Sequence, residues 1–230
     1  MIGVRWVTAF LDTPSREAEP FWVAVTASVL SARRGGGTFA TLVPAEGDAC
    51  VRVQVVGDPP ARAHLDLHVD DVDAVEVAGA TVVRTEEGLR VLSSPAGIVF
   101  CLVPWGGESV RPRRASVVDQ VCLDIPEHLY DRECRFWSEL TGWALRPSDL
   151  AEFSYLERPT GMGIRLLLQR TGSTTAGVHL DFACTDVDAE VRRHVASGAE
   201  VVRRVPGDWT TLRDPVGREY CVTGRDPYSS

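Results

Sequence analysis

The chain has 230 residues, room for two domains of ordinary size, and carries 24 Lys and Arg against 32 Asp and Glu for a formal charge of −8 at pH 7. That acidic balance, with a pI near 5.2, argues against a nucleic-acid partner, which needs clustered positive potential. No apolar run approaches the roughly 20 residues that cross a bilayer, and the opening MIGVRWVTAF lacks the basic start and cleavable apolar stretch of a secretory signal, so no membrane partner is expected and a cytoplasmic setting is.

In chain order, Arg5 to Phe10 reads as an opening strand, and Phe21-Trp22 as core residues of the helix that follows. Gly35-Gly36-Gly37 has no phosphate-loop lysine and opens no helix, so it reads as a flexible loop. AHLDLHVDDVDA (Ala63 to Ala74) is a strand followed by Asp70, Asp71 and Asp73, carboxylates placed to cap a helix start. GGESVRPRRAS (Gly106 to Ser116) has no apolar periodicity and reads as a solvated linker; an anion patch of Arg111, Arg113, Arg114 and Arg132 is the alternative. Val117 to Ile125 is then an alternating strand, Pro126 ends it, and Glu127 to Leu140 is a helix closed by Gly142. Strands are expected at Phe153 to Glu157, Gly163 to Arg170 and Val178 to Cys184, a helix at Val187 to Ser197, a strand at Glu200 to Arg204, and a hairpin from Trp209 to Arg213 and Arg218 to Thr223.

The second half of that list repeats the first. VHLDFACTDVDA (Val178 to Ala189) lies over AHLDLHVDDVDA at a shift of 115 residues, which also lays Phe136-Trp137 on Phe21-Trp22. SGAEVVRR (Ser197 to Arg204) matches AGATVVRT (Ala78 to Thr85) at a shift of 119, and DPVGREYCV (Asp214 to Val222) matches SPAGIVFCL (Ser94 to Leu102) at 120. Matched blocks in one order mean a duplicated domain. The expected division is 1–108 and 116–230, with 109–115 between.

Each half has the order βαβββ twice, and with the HLDLHVDDVDA and HLDFACTDVDA motifs, the FW pair ahead of Gly142 and the closing DPVGREYCV, the chain resembles the vicinal oxygen chelate superfamily, its glyoxalase-like and bleomycin-resistance-like members in particular. The resemblance implies an α+β fold, each domain a cupped sheet of paired modules around a small-molecule cavity. It also implies an internal pseudo-dimer, compatible with a monomer and with further association. It leaves function open, because the superfamily holds isomerases, dioxygenases, lyases and pure binding proteins.

Strand alternation puts His64, Asp66 and His68 on one face, and His179 and Asp181, followed by Ala183, on the equivalent face. Gln120, Cys122 and Asp124 share a face of the opening strand where the first half has Arg5, Val7 and Ala9. In metal-dependent relatives the ligands come from the first and last strands of the modules. His64 and His179 fit such a position, but the opening-strand position holds Arg5 or Gln120 and the closing-strand position Cys101 or Cys221. The first half therefore reads as metal-incompetent in the usual manner. In the second, Gln120, His179 and Glu219 are the candidate ligands for zinc, nickel, manganese or iron.

The preferred reading is a bound small molecule, or metal-independent acid/base chemistry upon it. His179 is the centre, Asp181 its orienting partner, and Glu219 a further catalytic candidate. Gln120 and Asp124 orient the ligand, Trp143 or Trp209 covers it, and His64, Asp66 and His68 form the first half's counterpart. The alternatives are a divalent-metal lyase, isomerase or dioxygenase, and a protein that sequesters a drug without chemistry. The six cysteines have no CxxC spacing and are expected to be reduced, buried thiols.

Overall fold

The computed structural model describes residues 3–74 and 77–228. The first half holds β1 (Val4–Thr13), α1 (Glu19–Thr26), β2 (Val29–Leu30), β3 (Phe39–Val43), β4 (Val51–Val55), β5 (Arg62–Val69), β6 (Thr81–Glu86), β7 (Leu89–Ser93) and β8 (Val99–Pro104). The second holds β9 (Ser116–Pro126), α2 (Tyr130–Thr141), β10 (Leu145–Pro147), β11 (Phe153–Leu156), β12 (Arg165–Thr171), β13 (Gly177–Cys184), α3 (Val187–Ala196), β14 (Glu200–Val205), β15 (Trp209–Arg213) and β16 (Glu219–Gly224). Two open eight-stranded sheets result, ordered β2-β3-β4-β1-β5-β8-β7-β6 and β10-β11-β12-β9-β13-β16-β15-β14. The second order is the first with eight added to every strand, so the duplication seen in the sequence is a duplication of topology.

Among the described residues, the helix expected after Asp70 is not seen. The segment after Asp70 has bends at 72–74 and a turn at 78–79, and residues 75 and 76 lie outside the described residues. The cause is length. Between Ala74 and Ala78 the alignment shift grows from 115 to 119, so the first half has four residues fewer there than the segment that forms α3. With about 3.6 residues per turn, a whole turn is missing. Asp71 still accepts hydrogen bonds from the backbone N–H groups of Asp73 and Ala74 at 2.9 and 3.1 Å, a capping arrangement like that of a helix start. In the second half Asp186 caps α3 through Ala189 N–H at 2.9 Å, with acidic residues in its first turn and Arg193 and His194 in its last, in line with the helix dipole. Gly142 closes α2 with φ 73°, the left-handed cap. The triple-glycine segment is a single 3₁₀ turn over Gly35–Gly37.

Compactness divides the chain differently from hydrogen bonding. One unit comprises Met1–Thr8, His64–Val110 and Val121–Val178; the other comprises Ala9–Ala63, Arg111–Gln120 and His179–Ser230. In the first unit α2 supplies Phe136 and Trp137 to Phe100 of β8, with ring centroids 6.0 and 4.9 Å away. In the second unit α1 supplies Phe21 and Trp22. Trp22 stacks on Phe182 at 6.3 Å and meets Tyr220 at 5.2 Å, while His194 of α3 stands edge-on to Phe182 at 4.8 Å. Trp22 and Trp137 have no exposed surface, as core aromatics should.

All six cysteines are buried and unpaired with one another. Two linker arginines bond carbonyls far along the chain: Arg111 donates to Pro227 and Arg114 to Ala27 at 2.7 Å. Among the described residues no helix is long and apolar enough to cross a membrane.

Candidate functional site

Two parallel strand pairs build equivalent clusters. In the second unit β13 and β16 run parallel with Asp181 opposite Cys221; in the first, β5 and β8 run parallel with Asp66 opposite Cys101. Two residues before each aspartate, on the same strand face, stands a histidine.

In the second unit His179 Nε2 lies 3.3 Å from Asp181 Oδ1. The imidazole keeps 17% of its surface open while the carboxylate keeps 4%, so the ring is reachable and its partner is not. Asp181 Oδ2 accepts a hydrogen bond from the amide of Gln120, itself buried. Oδ1 is buried with no hydrogen bond and lies 3.3 Å from the imidazole, and a ligand atom of Cys122 is within 4.8 Å of those of His179 and Asp181. Burial pushes the Cys221 thiol up, Asp181 adds to the rise and His179 opposes it, so this sulfur is a proton-holding neighbour, with Thr211 Oγ1 at 3.6 Å.

In the first unit His64 Nε2 lies 3.6 Å from Asp66 Oδ1, and the ligand atoms of His64, Asp66 and Cys101 all lie within 4.8 Å of one another. His68 is buried, with Nε2 2.8 Å from Thr8 Oγ1 and Nδ1 3.7 Å from Glu108 Oε2. Arg5, which corresponds to Gln120, leaves the cluster: its guanidinium bonds Asp70 at 2.9 to 3.1 Å and lies 5.5 Å over the Trp105 ring.

Glu219 is exposed and accepts from Arg213 at 2.8 Å. Asp124 and Trp143 belong to the first unit, not to that of His179. Asp124 is half-buried there, and Trp143 is 6% exposed, held by backbone bonds to Thr141 and Ser138 at 3.1 and 2.8 Å. Trp209 is half-buried, with the Arg203 guanidinium 5.6 Å over its ring. The set Gln120, His179 and Glu219 therefore does not fit a metal ion: the glutamate is turned to solvent and an arginine, and the amide nitrogen is bound to Asp181. The sequence placed Cys101 and Cys221 at the closing-strand position but did not set each opposite its aspartate. Strand register, which pairs each Asp with its Cys, was the signal that would have joined them.

A tandem of open eight-stranded sheets of one topology is the architecture of the vicinal oxygen chelate superfamily. The profile of the glyoxalase-like domain matches residues 8–103 and 120–223, and the chain belongs to that family. No curated protein matches the chain. Among solved structures it is similar to the 2,3-dioxygenase LapB from Pseudomonas sp. KL28, at 16% identity over 97% of this chain and 93% of that one, with a TM-score of 0.68. The Mn(II)-bound glyoxalase from Novosphingobium aromaticivorans matches at 15% identity over 96% and 81% with a TM-score of 0.63. A mutant 4-hydroxymandelate synthase from Streptomyces coelicolor matches at 17% over 96% and 92% with a TM-score of 0.62. At these identities the likeness is one of fold.

Proposed function

We propose that the chain binds a small organic molecule at His179 and exchanges a proton with it without a metal ion. The observation that carries this reading is the relay His179–Asp181–Gln120: a reachable imidazole, a buried carboxylate 3.3 Å behind it, and a buried amide holding the carboxylate's other oxygen. An imidazole is the side chain whose proton moves near neutral pH, and a fixed carboxylate both orients the ring and stabilises its protonated form. Gln120 donates to Asp181 and cannot itself take the proton, so the anion stays available to the histidine. The solved relatives act as dioxygenase, glyoxalase and synthase; what this chain shares with them is the scaffold, and its own acid/base pair supplies the chemistry.

The test is a ligand screen by thermal shift on the full chain, followed by His179→Gln and Asp181→Asn. A ligand of the native state raises the melting temperature by linkage. Proton exchange at an acidic C–H of the ligand, followed by NMR in D₂O, should fall at least about 100-fold in His179→Gln, the usual contribution of a positioned acid or base. Exchange unaffected by that substitution would sink the acid/base reading. Tight binding with no exchange in the wild-type chain would identify sequestration instead. Metal-dependent turnover abolished by chelator would favour the lyase, isomerase or dioxygenase alternative.

A further inference from the structure

We infer that Arg225 is a positioning residue for the relay His179–Asp181–Gln120: it holds the strand that carries Gln120 in register with the strand that carries His179 and Asp181. The inference rests on the acid/base reading of His179.

The relay needs two strands in fixed register. Gln120 is on β9, and His179 and Asp181 are on β13, its neighbour in the sheet. A strand rises about 3.3 Å per residue and a hydrogen bond spans about 2.7–3.2 Å, so a slip of part of a residue separates the Gln120 amide from Asp181. Arg225 bears on that register in three ways. It follows Gly224, the last residue of β16, which runs parallel to β13. Its backbone N–H bonds the carbonyl of Cys184, the last residue of β13, at 3.0 Å. Its guanidinium reaches Asp119 of β9, with Nη1 and Nη2 2.5 and 2.7 Å from the two carboxylate oxygens. Three strands of one sheet therefore meet at a single side chain and its backbone.

Asp119 and Gln120 are consecutive, so they point to opposite faces of the sheet. On one face Asp119, 1% exposed, is tied to Arg225; on the other Gln120, 2% exposed, donates to Asp181. A bidentate arginine–carboxylate pair fixes direction as well as distance, and here it does so one residue from the amide. The tail beyond Arg225 extends the hold to the residues before β9. Arg111 donates to the carbonyl of Pro227 and its guanidinium lies 5.3 Å over the Tyr228 ring, while the Tyr228 hydroxyl stands 3.0 Å from the carbonyls of both Pro112 and Arg114. Groups that move a proton must be held within about 0.5 Å of their working geometry, which a supporting shell of this kind supplies.

The test is made on the full chain by NMR. The sequence has three glutamines, Gln54, Gln120 and Gln169, and no asparagine, so its carboxamides give only three NH₂ pairs. In the wild-type chain the Gln120 pair, identified by its absence in Gln120→Leu, should stand downfield of the other two and exchange slowly in D₂O, because it donates to a buried carboxylate. The double variant Asp119→Leu with Arg225→Met removes the ion pair without leaving a buried charge alone, so the fold should persist. Its Gln120 signal should join the other two and exchange at least about tenfold faster, the worth of one hydrogen bond to a charged group. Arg225→Lys keeps the charge but not the fork, and supplies a second readout should the double variant fold poorly; its Gln120 signal should move part of the way. A Gln120 signal at the wild-type position in either folded variant overturns the positioning role and leaves the relay standing. A wild-type spectrum in which no carboxamide pair stands apart overturns the relay and this role together.

Discussion

The two compact units solve one problem in two ways. Each buries a tryptophan from the helix after an opening strand, and each must satisfy the indole N–H with a carboxylate. In the second unit the carboxylate comes from a loop: Asp214 accepts Trp22 Nε1 at 2.9 Å, Arg218 Nη1 at 2.9 Å, and the backbone N–H groups of Val216 and Arg218 at 3.0 and 2.8 Å. Arg218, 3% exposed, spends its other nitrogens on the carbonyls of Arg62 and Asp12 at 3.1 and 2.6 Å. In the first unit Ser94 and Ile98 hold the corresponding positions, and the carboxylate comes from the helix instead. Glu133 accepts Trp137 Nε1 at 2.8 Å and Ala96 N–H at 2.9 Å. One unit thus holds a buried ion pair and the other a buried acid facing neutral donors. Duplicated sequences keep the hydrogen bond while letting its source migrate.

The largest expected effect breaks the ion pair. Asp214→Ala strands the Arg218 guanidinium in the interior and should cost about 3–5 kcal/mol in urea unfolding. Adding Arg218→Ile, the residue type the first unit has there, should recover much of that loss; strict additivity of the two changes would show that they do not form one interaction.

Smaller effects follow from titration, with opposite signs in the two units. Burial raises the Glu133 carboxyl above its ordinary 4.5, against the pull of Ser94, Trp137 and Ala96. The native chain then holds this proton more tightly than the unfolded one, so its contribution is complete below pH 4.5 and is lost as pH rises through the native value. Glu133→Gln should remove that dependence. His194 is fully buried, with Nδ1 2.8 Å from the Tyr220 hydroxyl and Nε2 3.0 Å from Glu190. Burial lowers its imidazole from 6.5, outweighing the opposing pull of Glu190. Here the unfolded chain binds the extra proton, so stability present above pH 6.5 is lost as pH falls. Peptide-resolved hydrogen exchange, corrected for intrinsic rates, should find α3 and β16 less protected at pH 5.5 than at pH 7.5, with no such loss in α2 and β8. Parallel responses would refute the contrast. Smallest of all, Glu219→Gln removes an exposed contact with Arg213 and should change neither melting temperature nor ligand binding measurably.

Much of this was legible in the residues. The period-two alternation of HLDLH and HLDFA placed each histidine and aspartate on one face, and the duplicated blocks anticipated two sheets of one topology. The four-residue growth in alignment shift between Ala74 and Ala78 was legible too, although a helix was expected there. Other features were not, because they depend on contacts far apart in sequence. Alternation puts Glu219 and Cys221 on the same strand face, yet says nothing about Arg213 drawing the glutamate into solvent. Nor does spacing reveal that Arg225 bonds Asp119 through both terminal nitrogens, as the fold brings about.

The bond from Trp22 to Asp214 spans 192 residues, and it has a consequence for synthesis. A chain made from its N-terminus at about 5–20 residues per second carries Phe21 and Trp22 for many seconds before Phe182, Tyr220 and Asp214 exist. The unit that contains α1 needs residues beyond His179, whereas the other draws on nothing past Val178. Order of completion is therefore written into the topology: α1 precedes by far the residues it packs against, and until they are made its aromatic face lacks them.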